Sequence, residues 1–306
     1  MCPPLRYQKA PMIRTLALTL SAACLLAAPL AAQEMPDLDA RVQLAGQAQE
    51  TAQLMGDVQN AVALAQVQYA GMTAGNPGPG YQGAIALPTD NPDVWLAVIV
   101  GRRSDAPDAD YFALAEYEVS GGRIISELIH PAGAAPILDG PASAMAQARS
   151  FAPRAVLASG QSAFCAADAA DGEARPSVTF ATIVLPPRAN GTFDAYVLNG
   201  PIEDGAIPLG KHFRVGFDSF GLDGEPELVT DTCEVVTWDP AGPDLAMSVY
   251  VTEYQGADAP SPIHVFVSSL LPMNFGVVTG DMMWPMAGGL IADPVPAAEA
   301  GYTAGE

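Results

Sequence analysis

The hydrophobic period of this chain changes once, and the change falls on a proline–glycine stretch, Gly75-Asn76-Pro77-Gly78-Pro79-Gly80. Upstream, from Pro36 to Tyr69, there is no internal proline. Apolar residues recur at Leu38, Val42, Ala45, Ala52, Met55, Val62, Ala65 and Tyr69, in steps of three and four or their sums. That spacing returns to one face of an α-helix and leaves a mainly glutamine-bearing polar face opposite. Gly46 and Gly56 weaken the pattern by up to ~1 kcal/mol each relative to alanine, so the segment reads as one helix or a helical pair. The proline–glycine stretch then ends it as a hinge.

Beyond the hinge the period is two. Val94–Val100 is a buried strand bounded by Asn91-Pro92 and Gly101, and Tyr111–Val119 and Arg123–Ile129 flank Gly121-Gly122 as a hairpin. Pro141–Phe151 reads as a short helix with proline in its first turn. Strand-like runs follow at Val178–Leu185, Ala195–Leu198, His212–Phe217, Cys233–Trp238, Met247–Glu253, Ile263–Leu271 and Gly276–Thr279. Turn clusters separate them, among them Asn190-Gly191 and Asp223-Gly224, the latter read as a hairpin turn. The expected fold class is α+β, an N-terminal helical segment followed by a mainly antiparallel β-sheet region. The division by residue is 1–32 a signal peptide, 33–80 the helical segment and hinge, 81–160 a βββα unit, 161–292 a β-rich unit, and 293–306 a flexible tail rich in proline and alanine. No fixed-period repeat points to a propeller or solenoid.

The first residues predict export. Arg6, Lys9 and Arg14 precede an apolar run from Thr15 to Ala32, Pro29 interrupts it, and no acid occurs before Glu34. Charged, apolar and small-residue regions in that order make a secretory signal, with cleavage expected after Ala32. A retained anchor would need ~20 uninterrupted apolar residues. The expected location is periplasmic or secreted, with no integral membrane span after cleavage. Cleavage leaves about 270 residues, enough for one large or two small domains. The three basic residues lost with the signal take the net charge from −21 to about −24. Such a charge opposes nucleic acid as a partner.

Export also reads the cysteines. Cys2 and Cys24 leave with the signal, and Cys165 and Cys233 remain as an even pair in an oxidising compartment. One disulfide between them would close a loop of about 70 residues, worth roughly 4 kcal/mol in the chain-entropy model. No CxxC spacing points to metal or redox chemistry.

Candidate chemistry is sparse. The chain has three histidines, His130, His212 and His264. His212 and His264 are each read as entering a strand, half-buried and hydrogen-bonded at a sheet edge. On neighbouring strands they could hold a metal with Asp218 or Asp231, although no HxH or HExxH spacing places them on one face. Gly160-Gln161-Ser162-Ala163-Phe164 lacks the final glycine of a nucleophile elbow. Asp218–Glu225 lacks the alternating ligands of a calcium loop. Arg102-Arg103 is a small cationic spot in an acidic chain. No catalytic residue is identified, and no motif requires a cofactor.

Three ordered segments, Pro208-Leu209-Gly210-Lys211-His212-Phe213, Asp231-Thr232-Cys233 and Ile263-His264-Val265-Phe266, resemble uncharacterised exported proteins of Gram-negative bacteria. The resemblance covers about the last hundred residues and carries no activity with it. It implies that His212, Cys233 and His264 are framework positions. The sequence therefore points to an exported soluble protein that binds a protein or small-molecule ligand without catalysis, or is associated with the envelope. The alternatives are a hydrolase or metal-dependent enzyme using His212 and His264, and an envelope scaffold assembled through its N-terminal helix. The disulfide has a direct test. Denatured mature protein treated with a maleimide in the absence of reductant should take up no label at Cys165 or Cys233, and two labelled thiols would refute the bridge.

Overall fold

The computed structural model describes residues 36–302, apart from 79, 105, 107, 108, 132, 165–179, 201, 220 and 243–247. The expected signal peptide, its cleavage site at Ala32, Cys165 and residues 303–306 of the tail lie outside the described residues.

Helix α1, Leu38–Met72, is one unbroken helix. Asp37 caps it by accepting the Ala40 N–H at 2.8 Å, and Thr73 closes it onto the Tyr69 carbonyl just before the hinge. The chain then forms β1 (Tyr81–Pro88), β2 (Trp95–Arg102), β3 (Tyr111–Ser120) and β4 (Arg123–Ile129), an antiparallel meander in that order. Helix α2 (Gly140–Ala158) follows. A second antiparallel sheet uses β5 (Phe180–Val184), β6 (Phe193–Asn199), β8 (His212–Asp218) and β9 (Gly221–Thr230). Strand β7 (Ala206–Pro208) leaves this path to pair with β10 (Val235–Thr237). The last sheet places β11 (Val249–Glu253) parallel to β12 (Asn274–Thr279), with helix α3 (Pro262–Ser268) between them in sequence. Strands β13 (Met282–Ala287), β14 (Leu290–Ile291) and β15 (Val295–Pro296) complete it with antiparallel pairings. The fold class is α+β, with mostly antiparallel sheets after the N-terminal helix.

Alternation along the strands explains the layering. Ala84, Ala86, Ala97, Ile99, Ile183, Tyr196 and Leu198 belong to one core cluster with the buried stripe of α1. Ile85, Val98, Val100, Val184, Ala195 and Val197, their sequence neighbours, belong to the other with the buried residues of α2. Both four-stranded sheets are thus covered on both faces, which makes β2 and β6 read as continuous apolar runs. Arg149 of α2 reaches between the sheets. Its Nη1 donates to the Thr182 carbonyl of β5 at 2.7 Å, and its guanidinium fills the space over Gly83 of β1.

Several expectations are corrected. Ile263–Leu271 is not a strand. Ser261 caps α3, Pro262 occupies its first turn and every residue from Ile263 to Ser268 is buried, so the run shows no periodicity to separate helix from strand. The unit after the hinge has four strands, because β1 is built from small residues (Gly83, Ala84, Ala86) that carry no strand signature. Asp223-Gly224 lies within β9; the turn falls between the paired residues Asp218 and Gly221, and Gly224, at φ +77°, accompanies a register shift against β8. Helix α2 continues past Phe151 through Pro153 to Ala158. The tail is ordered as far as it is described: β15 pairs with β13 and Ala297 is buried. Residues on either side of position 160 share both core clusters.

One buried cation joins α1 to the last sheet. Arg41 is 3% exposed. It donates from Nε to the Asp258 carbonyl (2.9 Å), from Nη1 to Asp281 (2.9 Å) and from Nη2 to the Thr279 carbonyl (2.8 Å), and it lies over the Trp284 ring. Arg41→Met would keep most of the packing but leave buried carbonyls without donors. We expect a loss of about 3 kcal/mol in urea unfolding; a loss within experimental error would show that the clamp is not stabilising.

Candidate functional site

The structure brings His212 and His264 into one buried neighbourhood, but neither sits as expected. His212 is 1% exposed and opens β8, an interior strand between β6 and β9, so it is at no sheet edge. A backbone N–H can only donate and a carbonyl can only accept, so its partners fix its proton. Nδ1 accepts the Asn199 N–H at 2.9 Å, and Nε2 donates to the Pro208 carbonyl at 3.0 Å. His264 is 3% exposed and stands in the first turn of α3, in a reciprocal capping box with Ser261. Its Nδ1 accepts the Ser261 N–H at 3.2 Å, with Ser261 Oγ at 2.9 Å, so the proton of the neutral ring is on Nε2. The ring lies tilted against Tyr254, centroids 4.8 Å apart.

Burial sets the charge of both rings. Loss of hydration lowers the His212 pKa to about 4, opposed by its hydrogen bond to the Pro208 carbonyl. Loss of hydration, then the charge His212 would carry, lowers the His264 pKa to about 3. Both imidazoles are neutral near pH 7 with Nδ1 lone pairs occupied, which removes the usual means by which histidine binds metal or accepts a proton.

Around these rings lie two oxygens with no partner. Among the described residues, Asn199 Oδ1 and Thr230 Oγ1 are the buried side-chain atoms without a hydrogen bond. Both residues adjoin His212: Asn199 donates its own N–H to the ring, and Thr230 is the cross-strand neighbour on β9. Leaving such an atom unsatisfied costs about 1–3 kcal/mol of stability.

Thr230 and His264 line a cavity of about 630 Å³, a size typical of small-molecule sites. Tyr254, whose hydroxyl donates to the Val229 carbonyl at 2.7 Å, forms a wall. Asp231, Glu234 and Glu253 also line it. Asp231 is paired with Lys211. Glu234 accepts from Thr252 Oγ1 at 2.5 Å, and Glu253 is hydrogen-bonded to Tyr302. Among the described residues no cation pairs with Glu234 or Glu253. The Tyr302 pKa is raised by burial, by the charge of Glu253 and its hydrogen bond, and by the charge of Glu234.

The other sequence candidates do not join this cavity. Asp218 lies at the far end of β8 from His212, six residues or about 20 Å away. No three His, Cys, Asp or Glu side chains among the described residues converge as metal ligands. Ser162 donates to the Phe164 carbonyl, and His130 bonds to Glu116 at 3.0 Å. Arg102 is buried over the Tyr111 ring and donates to the Ala106 carbonyl at 2.6 Å, so it presents no cationic patch. A separate cluster, Arg188, Asp194, Arg214 and Glu227, neutralises itself through three ion pairs.

Asn199, Thr230, Glu234, Glu253 and Tyr254 carry no sequence motif. The three segments that bear the resemblance do meet here. His212 is paired with Thr230, Gly210 packs so closely on the Thr232 carbonyl that a Cβ would come within 1.7 Å of it, and Thr232 and His264 share the cavity. Comparison with family models, curated proteins and solved structures finds no match for this chain.

The buried rings predict an acid-sensitive fold. Both pKa values are lower in the folded protein than in the unfolded chain, so the unfolded chain binds protons first as pH falls. Stability from this source is complete above pH ~6.5 and declines as pH drops toward 4, by about 2 kcal/mol per histidine between pH 6.5 and 5. Denaturant unfolding across that interval should show the decline, and His264→Gln should reduce its slope by about half. A flat profile would contradict the buried neutral rings.

Proposed function

We propose that this is an exported, non-enzymatic binding protein of the periplasm or extracellular space, whose cavity over Thr230 and His264 takes a small polar molecule. The observation that carries the reading is the cavity of about 630 Å³ lined by Thr230, Asp231, Glu234, Glu253, Tyr254 and His264, with the partnerless Thr230 Oγ1 buried in its wall. Recognition by a few such groups in a cavity of this size is how small-molecule sites achieve orientation and selectivity.

Export rests on the basic, apolar and small-residue order of residues 6–32. It is in keeping with the absence, among the described residues, of a helix long and apolar enough to cross a membrane. The reading without catalysis rests on the two occupied Nδ1 atoms. A hydrolase or metal-dependent enzyme using His212 and His264 needs a lone pair from at least one of them, and in this conformation each is held by a backbone N–H. The scaffold reading has less support, because α1 buries its stripe from Ala45 to Tyr69 within its own core, although Leu38, Val42, Leu44, Val67 and Met72 are exposed.

Thr230→Val tests the reading without knowledge of the ligand. Valine has nearly the same shape and removes only the partnerless oxygen. If the hydroxyl has no structural partner, the variant should be as stable as the parent or more stable by about 1 kcal/mol. A loss of more than about 1 kcal/mol would mean that the hydroxyl has a structural partner, and the proposed site would fall.

A further inference from the structure

We infer a second binding site, in a cavity that adjoins the first at Val229 and Tyr254, for a free α-amino acid with an apolar side chain. Its carboxylate sits on the Tyr196 hydroxyl and Arg214 Nη1, and its ammonium on Glu227 Oε1. This site is separate from the cavity over Thr230 and His264 and does not depend on it.

Strand register brings the polar groups together. Tyr196 of β6 is directly opposite Arg214 of β8, and Arg214 is directly opposite Glu227 of β9. Opposed residues on neighbouring strands share a face, so the three form a row on the side of the sheet that packs with α1. Asp194, two residues before Tyr196 on β6, stands on the same face. With Leu44 and Thr51 of α1 and residues 257–262, this row lines a cavity of about 580 Å³.

Tyr196 is the residue that points to a ligand. It is 3% exposed, and among the described residues its hydroxyl has no hydrogen-bond partner. The fully enclosed oxygens without a partner are Asn199 Oδ1 and Thr230 Oγ1, so the Tyr196 hydroxyl is reached from the cavity it lines. Burial, and then the charge of Asp194, push its pKa up to about 12, so it stays a neutral O–H donor. Beside it the row leaves one donor and one acceptor free. Arg214 meets Glu227 Oε2 from both Nε (2.9 Å) and Nη2 (2.6 Å). Its Nη1 stands 3.8 Å from Asp194, beyond hydrogen-bond reach. Both contacts to Glu227 fall on Oε2, so Oε1 is unengaged among the described residues. Neighbouring strands lie about 4.8 Å apart, which matches this donor and acceptor to the carboxylate and ammonium that an α-amino acid carries on one carbon.

A ligand with a single charge fits less well. Arg188 and Arg214 are balanced by Asp194 and Glu227, so a lone carboxylate or ammonium would add charge to a neutral cluster. The chain's net charge of −21 opposes an anion further, and a zwitterion adds no net charge. A sugar would use the polar row but leave the apolar wall unmatched. Leu44, 42% exposed, Val229 and Pro260 form that wall and suit a hydrocarbon side chain.

Isothermal titration of the mature protein tests the site with four probes: leucine, isoamylamine (leucine without its carboxylate), isocaproate (leucine without its ammonium) and glucose. We expect leucine to bind at least about tenfold more tightly than either singly charged analogue, and glucose not to bind. Tyr196→Phe removes one oxygen and should leave the urea unfolding midpoint unchanged, because the hydroxyl has no partner in the fold. It should weaken leucine and isocaproate about tenfold and leave isoamylamine unchanged. Glu227→Gln should weaken leucine and isoamylamine and leave isocaproate unchanged. Glucose or either analogue binding as tightly as leucine would overturn the zwitterion. No heat from any probe, or a Tyr196→Phe variant with every affinity unchanged, would overturn the site itself. None of these results bears on the cavity over Thr230 and His264, which the stability of Thr230→Val tests.

Discussion

One helix has to serve three sheets and another helix at once. Helix α1 packs against β1, β2 and β3 of the first sheet, β5 of the second, α3, and β14 of the third. It can do so because the stripe it buries is mostly small. Ala45, Ala48, Ala52, Ala61 and Ala65 are interspersed with Met55, Val58 and Val62, so backbones approach closely on several sides without a clash. Large side chains at those positions would hold one partner off while packing another. The long helix would be marginal on its own amphipathicity, and tertiary burial stabilises it.

The site inherits its geometry from that arrangement. Arg41, near the start of α1, grips the carbonyls of Asp258 and Thr279, which bracket α3 in sequence. Helix α3 therefore presents Ser261 and His264 to the end of β9, where Thr230 pairs with His212. The polar interior so formed is almost complete. Ser261 satisfies His264, and Asn199 and Pro208 satisfy His212. Among the described residues the exceptions are Asn199 Oδ1 and Thr230 Oγ1, and Thr230 lines the cavity. A polar network in a low-dielectric interior is rigid when every member is matched.

How much of this the sequence showed follows from what each segment exposes. The β3–β4 hairpin was legible because its residues alternate and Gly121-Gly122 occupies the turn, both at positive φ. Strand β2 was legible because it is β-branched and bounded by turn residues. Helix α3 was misread because Ile263–Val267 is buried on every side, which removes the periodicity that distinguishes helix from strand, though Ser261-Pro262 did carry a helix-start signal. Strand β1 was overlooked because its alanines and glycine have low strand propensity and it forms only by lying between β2 and two helices. Of the site, His212 and His264 stood out by scarcity. Thr230, Glu234 and Glu253 could not, because the cavity they line together and the missing partner of Thr230 Oγ1 are written in no motif. Those properties belong to the folded neighbourhood.

The central claim is that two neutral, Nε2-protonated imidazoles are buried together, with His264 lining a cavity built for recognition. Side-chain ¹H–¹⁵N NMR of the histidines tests it most directly. The account predicts that His212 and His264 both show the Nε2–H tautomer at neutral pH and that neither titrates near the ordinary value of ~6.5. A ring titrating near ~6.5, or a His264 signal in the Nδ1–H form, would contradict the account.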